Sequence, residues 1–183
     1  MFRYKNPIFL FLFCILSIPL LSKIITIDSH IDIPFDYMEN PEHDPGKITD
    51  MQVDLYKMKK GGLDSGFFVV YVPQGPLDKA GFKNARLLAE KKFLAISKMI
   101  KTYSNQIGLA LAPEDIIQLK NNKLLSAAIG IENGYVIGED LSLLDYYYSL
   151  GARYMTLTHI GHNQIADSSI PVSYTHLTLP TRS

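Results

Sequence analysis

The sequence of 183 residues has one cysteine, no tryptophan and no excess of either charge, with 18 Lys and Arg against 18 Asp and Glu. A lone Cys14 excludes an internal disulfide and a cysteine-based zinc framework, so any metal site must be built from histidine and carboxylate. The charge balance removes the basic footprint that nucleic acid binding requires. No G-x-G-x-x-G follows the first strand candidate, which argues against a dinucleotide fold. Internal repeats and low-complexity linkers are also missing. What remains is 47% apolar and 20% charged residues, material for one ordinary globular domain.

Arg3 and Lys5 precede an apolar run over residues 8–21, followed by Ser22 and Lys23. This is a leader pattern, so residues 1–22 are expected to be a signal peptide or a membrane anchor. The run falls short of the roughly 20 apolar residues of a comfortable span and contains Pro19, which favours an export signal. Leu20 and Ser22 make a poor cleavage site, so an uncleaved anchor stays open. The protein is expected to be exported, periplasmic or secreted, meeting the membrane only through this segment.

From Lys23 onward, short runs rich in β-branched and aromatic residues alternate with segments of helical period, an α/β signature. Strands are predicted at residues 24–27, 67–72, 124–131 and 153–158. Helices are predicted at 48–59, 77–103, 113–120 and 141–150. The long one carries Leu87, Leu88, Leu94, Ile96, Met99 and Ile100 as its apolar residues. This order leaves two architectures, a doubly wound open sheet or a (β/α)8 barrel, and in both the chemistry gathers at the carboxyl ends of strands.

His30 and Asp32, two apart in an extended segment, project to one side, so an imidazole nitrogen and a carboxylate oxygen can share a cation. The competing reading is a strand-end histidine bonded to a carbonyl and an aspartate capping the turn at Pro34. Glu132 follows Ile129-Gly130-Ile131 and precedes the turn dipeptide Asn133-Gly134, which directs its carboxylate toward a strand-end cleft. Alone it also reads as a solvated turn residue. His159 closes a third predicted strand, with Asn163 close behind. His43 reads as a solvated loop residue, and His162 as a support for the loop of His159. Tyr146, Tyr147 and Tyr148 are expected to pack a helix onto the sheet, and Lys57, Lys59 and Lys60 to form a solvated helix end.

These residues resemble the N-terminal half of the membrane (renal) dipeptidase family of zinc metallopeptidases. The resemblance rests on Ile27-Asp28-Ser29-His30-Ile31-Asp32-Ile33-Pro34, on Gly66-Phe67-Phe68-Val69-Val70-Tyr71-Val72 and on Gly130-Ile131-Glu132-Asn133-Gly134. It continues through Leu150-Gly151-Ala152-Arg153-Tyr154-Met155-Thr156-Leu157-Thr158-His159 to Asn163 and Ala166-Asp167-Ser168. Asn133 departs from it, since many members have glycine there. The resemblance implies a (β/α)8 TIM-type barrel of the metal-dependent hydrolase type, here its truncated first half, with two zinc ions at the carboxyl ends of its strands. It implies that His30 and Asp32 ligate the first metal, that Glu132 bridges both, and that His159 contacts the dipeptide substrate and its tetrahedral intermediate. Glu132 and His159 are thus the catalytic candidates. A homodimer is compatible with the family when the protein is full length.

The second-half residues of the family, two histidines for the second zinc, an arginine and an aspartate, have no counterpart in the sequence. Residues 171–183 match nothing expected at that point and read as a non-native tail. The domain expectation is therefore a leader at 1–22, half a dipeptidase barrel at 23–170, and a tail. The chain itself is expected to be an inactive fragment. Two other readings stay open: a different H-x-D metallohydrolase barrel, of amidohydrolase or phosphoesterase type, and a non-catalytic exported binding fragment.

Overall fold

A computed structural model of the chain describes residues 24–170, so the expected leader and the expected tail both lie outside the described residues. The described chain runs β1 (Ile27–Asp32), α1 (Leu55–Gly61), β2 (Ser65–Tyr71), α2 (Lys79–Thr102), β3 (Ile107–Leu109), α3 (Pro113–Asn121), β4 (Leu125–Glu132), α4 (Ser142–Ser149) and β5 (Ala152–Met155). Single 3-10 turns at Pro41–His43 and Gly134–Ile137 complete it. All strand pairings are parallel, β1 with β2, β2 with β4, and β4 with both β3 and β5. The α/β class and the parallel sheet expected from the alternating periods are both present. No described helix is long and apolar enough to cross a membrane.

Strand β4 is buried almost end to end, as a strand covered on both faces should be. β2 lies against it without a break from Ser65 opposite Ser126 to Tyr71 opposite Glu132. On its other side β4 is bordered first by β3 and then by β5. Helix α2 covers the sheet with Ala85, Ala89, Lys92, Phe93, Ile96 and Met99, all buried. This three-and-four spacing is a helical stripe, and it turns Leu87 and Leu94 to solvent, at 56% and 70% exposure. The sequence pattern named both as apolar residues of the helix without separating the packed face from the outer one.

Four boundaries differ from the sequence expectation for physical reasons. β1 begins at Ile27 and carries His30 and Asp32 inside the strand, because its ladder with β2 extends through Asp32 opposite Val69. The helix expected from residue 48 begins at Leu55, since Asp54 accepts from Lys57 N and caps it. β3 has only three residues, too few to show a period, and the sequence reading missed it. β5 ends at Met155, which leaves His159 in the following loop.

Lys57 is not a solvated helix end, for its ammonium donates to Thr49 O and Met51 O. The three consecutive tyrosines divide. Tyr147 is buried and stacked on Phe93 at 5.5 Å, whereas Tyr148 is exposed beneath the Arg153 guanidinium. His43 pairs with Asp36.

Asp54 joins this helix to the loop that leads from β1. It is 1% exposed and also accepts from the backbone and hydroxyl of Thr49. Burial pushes its carboxyl up, but the bonds from Lys57 N and Thr49 outweigh burial and hold it below the ordinary value. Replacing Asp54 by Ala should cost about 2 kcal/mol, combining a lost cap with orphaned buried donors. Asn at this position should recover most of the loss, as read from urea midpoints.

Candidate metal centre

Side chains alternate across a strand, so Ile31 of β1 enters the core while Asp28, His30 and Asp32 share the opposite face. The registers carry that face across the sheet. Asp32 lies opposite Val69, Val69 opposite Gly130, Tyr71 opposite Glu132, and Gly130 opposite Tyr154. The ladder thus brings His30, Asp32, Tyr71 and Glu132 to the carboxyl ends of three neighbouring strands. They line an open cleft of about 730 Å³ that His159 also enters.

Within the cleft His30 Nε2 stands 3.6 Å from Asp32 Oδ1 and 3.4 Å from Glu132 Oε2. The other oxygen of Glu132, Oε1, stands 3.4 Å from His159 Nε2. One carboxylate therefore faces a histidine on each side. His30, Asp32 and Glu132 each offer one ligand atom, and all three atoms lie within 4.8 Å of one another. Two atoms each about 2.1 Å from one cation and at a tetrahedral angle lie about 3.4 Å apart, so the spacing fits a shared zinc-sized ion. The donor set of one imidazole and two carboxylates suits zinc and similar divalent metals. His159 does not join this group of three. Its ring rests edge-on against Tyr71, with centroids 4.9 Å apart.

The negative charge of the cleft is visible in its neighbours. Burial raises the Tyr71 hydroxyl above its ordinary pKa, and Glu132 and Asp32 add to the rise. His162, considered as a support for the loop of His159, lies against Asp167 and accepts from Ser168 N. Ser168 Oγ in turn donates to His159 O, which ties the loop together.

Sequence reasoning assigned no role at the site to two residues here. Lys92 is 3% exposed, donates to Ile33 O at 2.8 Å and lies 4.5 Å from the Phe35 ring centre. It falls in the buried stripe of α2 between Ala89 and Ile96. Asn133, noted as half of a turn dipeptide and as a departure from the family pattern, adopts φ 76° and is fully buried. Its Nδ2 donates to Val72 O and Gln74 Oε1, and its Oδ1 accepts from Tyr135 N and Asn163 Nδ2. All four capacities of one amide are used. They bind the ends of β2 and β4 to the loop after β5, beside Glu132.

The family described as membrane dipeptidase, peptidase family M19, matches residues 17–179. That range overlaps the expected leader and tail. Among curated relatives, dipeptidase verJ of Clonostachys rogersoniana is 26% identical over 166 residues, covering 84% of this chain and 42% of that protein. Dipeptidase 3 of Mus musculus is 27% identical over 148 residues, covering 78% of this chain and 28% of that protein. Among solved structures, the probable dipeptidase PvdM from Pseudomonas aeruginosa superposes with a TM-score of 0.74 at 28% identity, over 81% of this chain and 38% of that one. A metallo peptidase from Rhodobacter sphaeroides, liganded with a phosphinate mimic of the dipeptide L-Ala-D-Ala, matches in fold with a TM-score of 0.66 at 20% identity. That match covers 79% of this chain and 48% of the Rhodobacter one. The chain spans less than half the length of each of these relatives.

Lys92 gives the site a pH signature. Burial lowers its ammonium from the ordinary 10.5 to about 8, against the opposing pull of Asp32 and Glu132. Between these values the unfolded chain keeps a proton that the folded chain has released, so this group makes stability rise with pH there. Compared with a Lys92→Met chain, the parent should gain on the order of 2 kcal/mol between about pH 8 and pH 10. The comparison cancels the tyrosines, which titrate in both. Urea midpoints of the two chains across that range check it, and a constant difference would place the effect elsewhere.

Proposed function

The chain belongs to the membrane dipeptidase family, peptidase family M19, and on that premise we propose that it is the metal-binding first half of an exported zinc dipeptidase. The observation that carries the reading is the position of Glu132, one oxygen toward His30 and the other toward His159, in a cleft that Asp32 also lines. His30, Asp32 and Glu132 are the residues that would hold zinc. The bound cations would supply Lewis acidity, activating water and polarising the peptide carbonyl.

The chain's own residues do the rest. Glu132 keeps its carboxylate between His30 and His159 because its backbone is held in the β4 ladder. His159 presents Nε2 toward the cleft, where it can donate to the oxygen that becomes negative when the dipeptide is attacked. Tyr71 limits the rotation of that ring by packing against it. Dipeptides are the substrates by this reading. Residues 1–22 direct export or anchor the protein, residues 23–170 form the half barrel, and residues 171–183 are foreign to it.

The second zinc requires ligands beyond this sequence, so the 183-residue chain should bind at most one zinc, weakly, and turn over no dipeptide. Chelator competition and a dipeptide hydrolysis assay on this chain measure both. Two tightly bound ions, or efficient turnover, would sink the fragment reading. Glu132→Gln should weaken zinc binding by about 100-fold, and His30→Ala by at least as much. Unchanged affinity in either would remove the ligand assignment.

A further inference from the structure

Gly130 of β4 leaves a gap on the inner face of the sheet, and the ring of Tyr154 occupies it. A Cβ at Gly130 would lie 2.1 Å from Tyr154 Cζ, so no other residue fits while the ring is there. From β5 the ring passes over β4, packs on Phe67 of β2 with centroids 5.2 Å apart, and ends at β1. There its hydroxyl lies 3.1 Å from Ser29 O and 3.4 Å from His30 Nδ1. One side chain thus passes over two strands to reach the histidine from behind.

The protons at this junction are constrained. A carbonyl oxygen only accepts, so both contacts of the hydroxyl are satisfied together when the Tyr154 proton goes to Ser29 O. A phenol hydroxyl carries its single proton at neutral pH, and here that proton is engaged with Ser29 O. Its oxygen can then only accept from His30, which places the imidazole proton on Nδ1. The opposite nitrogen, Nε2, is the one that faces Asp32 and Glu132. The two carboxylates draw a proton toward Nε2, and Tyr154 works against them.

We propose that Tyr154 is a positioning residue that holds the proton of His30 on Nδ1 and so keeps the Nε2 lone pair available to a cation. The proposal rests on the reading of the cleft as a metal centre for its purpose, but its geometry stands without a metal. A metal-binding histidine needs its second nitrogen engaged in this way, and losing such a partner costs 10- to 100-fold in affinity.

Tyr154→Phe tests it, since the ring that fills the gap over Gly130 is retained and only the oxygen is lost. In the metal-free chain labelled with 15N-histidine, at about pH 8.5 where an ordinary histidine is neutral, the Nδ1–H fraction of His30 should fall in the variant. Thermal midpoint should stay close to the parent. Cobalt(II) should bind about tenfold more weakly by chelator competition. Gly130→Ala, which expels the ring while keeping the hydroxyl, should produce the same change of tautomer. An unchanged Nδ1–H fraction in Tyr154→Phe overturns the proposal, as does cobalt affinity equal to that of the parent. A parent chain that binds no cobalt overturns the metal-centre reading instead, leaving the tautomer comparison to decide the role of Tyr154.

Discussion

The register between β2 and β4, unbroken over seven residue pairs, is the constraint on which the cleft depends. Parallel ladders admit no half steps. A slip of one residue would turn either Tyr71 or Glu132 into the helix layer and bring Val70 or Ile131 out in its place. The slip is blocked because Phe68, Val70, Ile129 and Ile131 are buried against α2 and its neighbours. The apolar face therefore fixes the polar one. The hydrophobic packing that stabilises the sheet is the same packing that sets Glu132 level with the histidines.

The polar face carries an unusual concentration of charge for so well-packed a layer. Asp32 is open to water, but Glu132 is 17% exposed and Lys92 is almost wholly buried behind them. A buried ammonium is costly unless it is paired or hydrogen-bonded. Here Ile33 O, the Phe35 ring and the field of two carboxylates share that task. The cleft thus holds a fixed cation on one wall and a cluster of acceptors on the other. Its polar parts are fastened by single buried groups, Lys92 on one side and Asn133 on the other.

Much of this was legible in the sequence. Alternation in Ile27–Asp32 places His30 and Asp32 on one side without any structure, and the apolar run before Glu132 places that carboxylate at a strand end. The reach of Glu132 to both histidines was not legible, because it depends on register, and register is a property of two strands at once. Lys92 was hidden for a related reason: helical period says which residues share a stripe but not which stripe meets the sheet. Leu87 and Leu94 looked equally eligible for burial. The role of Asn133 was lost because its four partners come from segments 2 to about 60 residues away. A three-residue strand such as β3 leaves no pattern to read.

Strand β4 changes partner partway along its length, with β3 beside its first residues and the four-residue β5 beside its last. The ladder between β4 and β5 is also irregular between Ile129 and Gly130. Thermal opening follows the weakest seam of a sheet, where few ladder bonds must break together. That seam runs alongside Glu132 and under the loop that carries His159. The breathing of the sheet is thereby directed to its chemical end, so that amide hydrogens along β5 should exchange with solvent before those between β2 and β4.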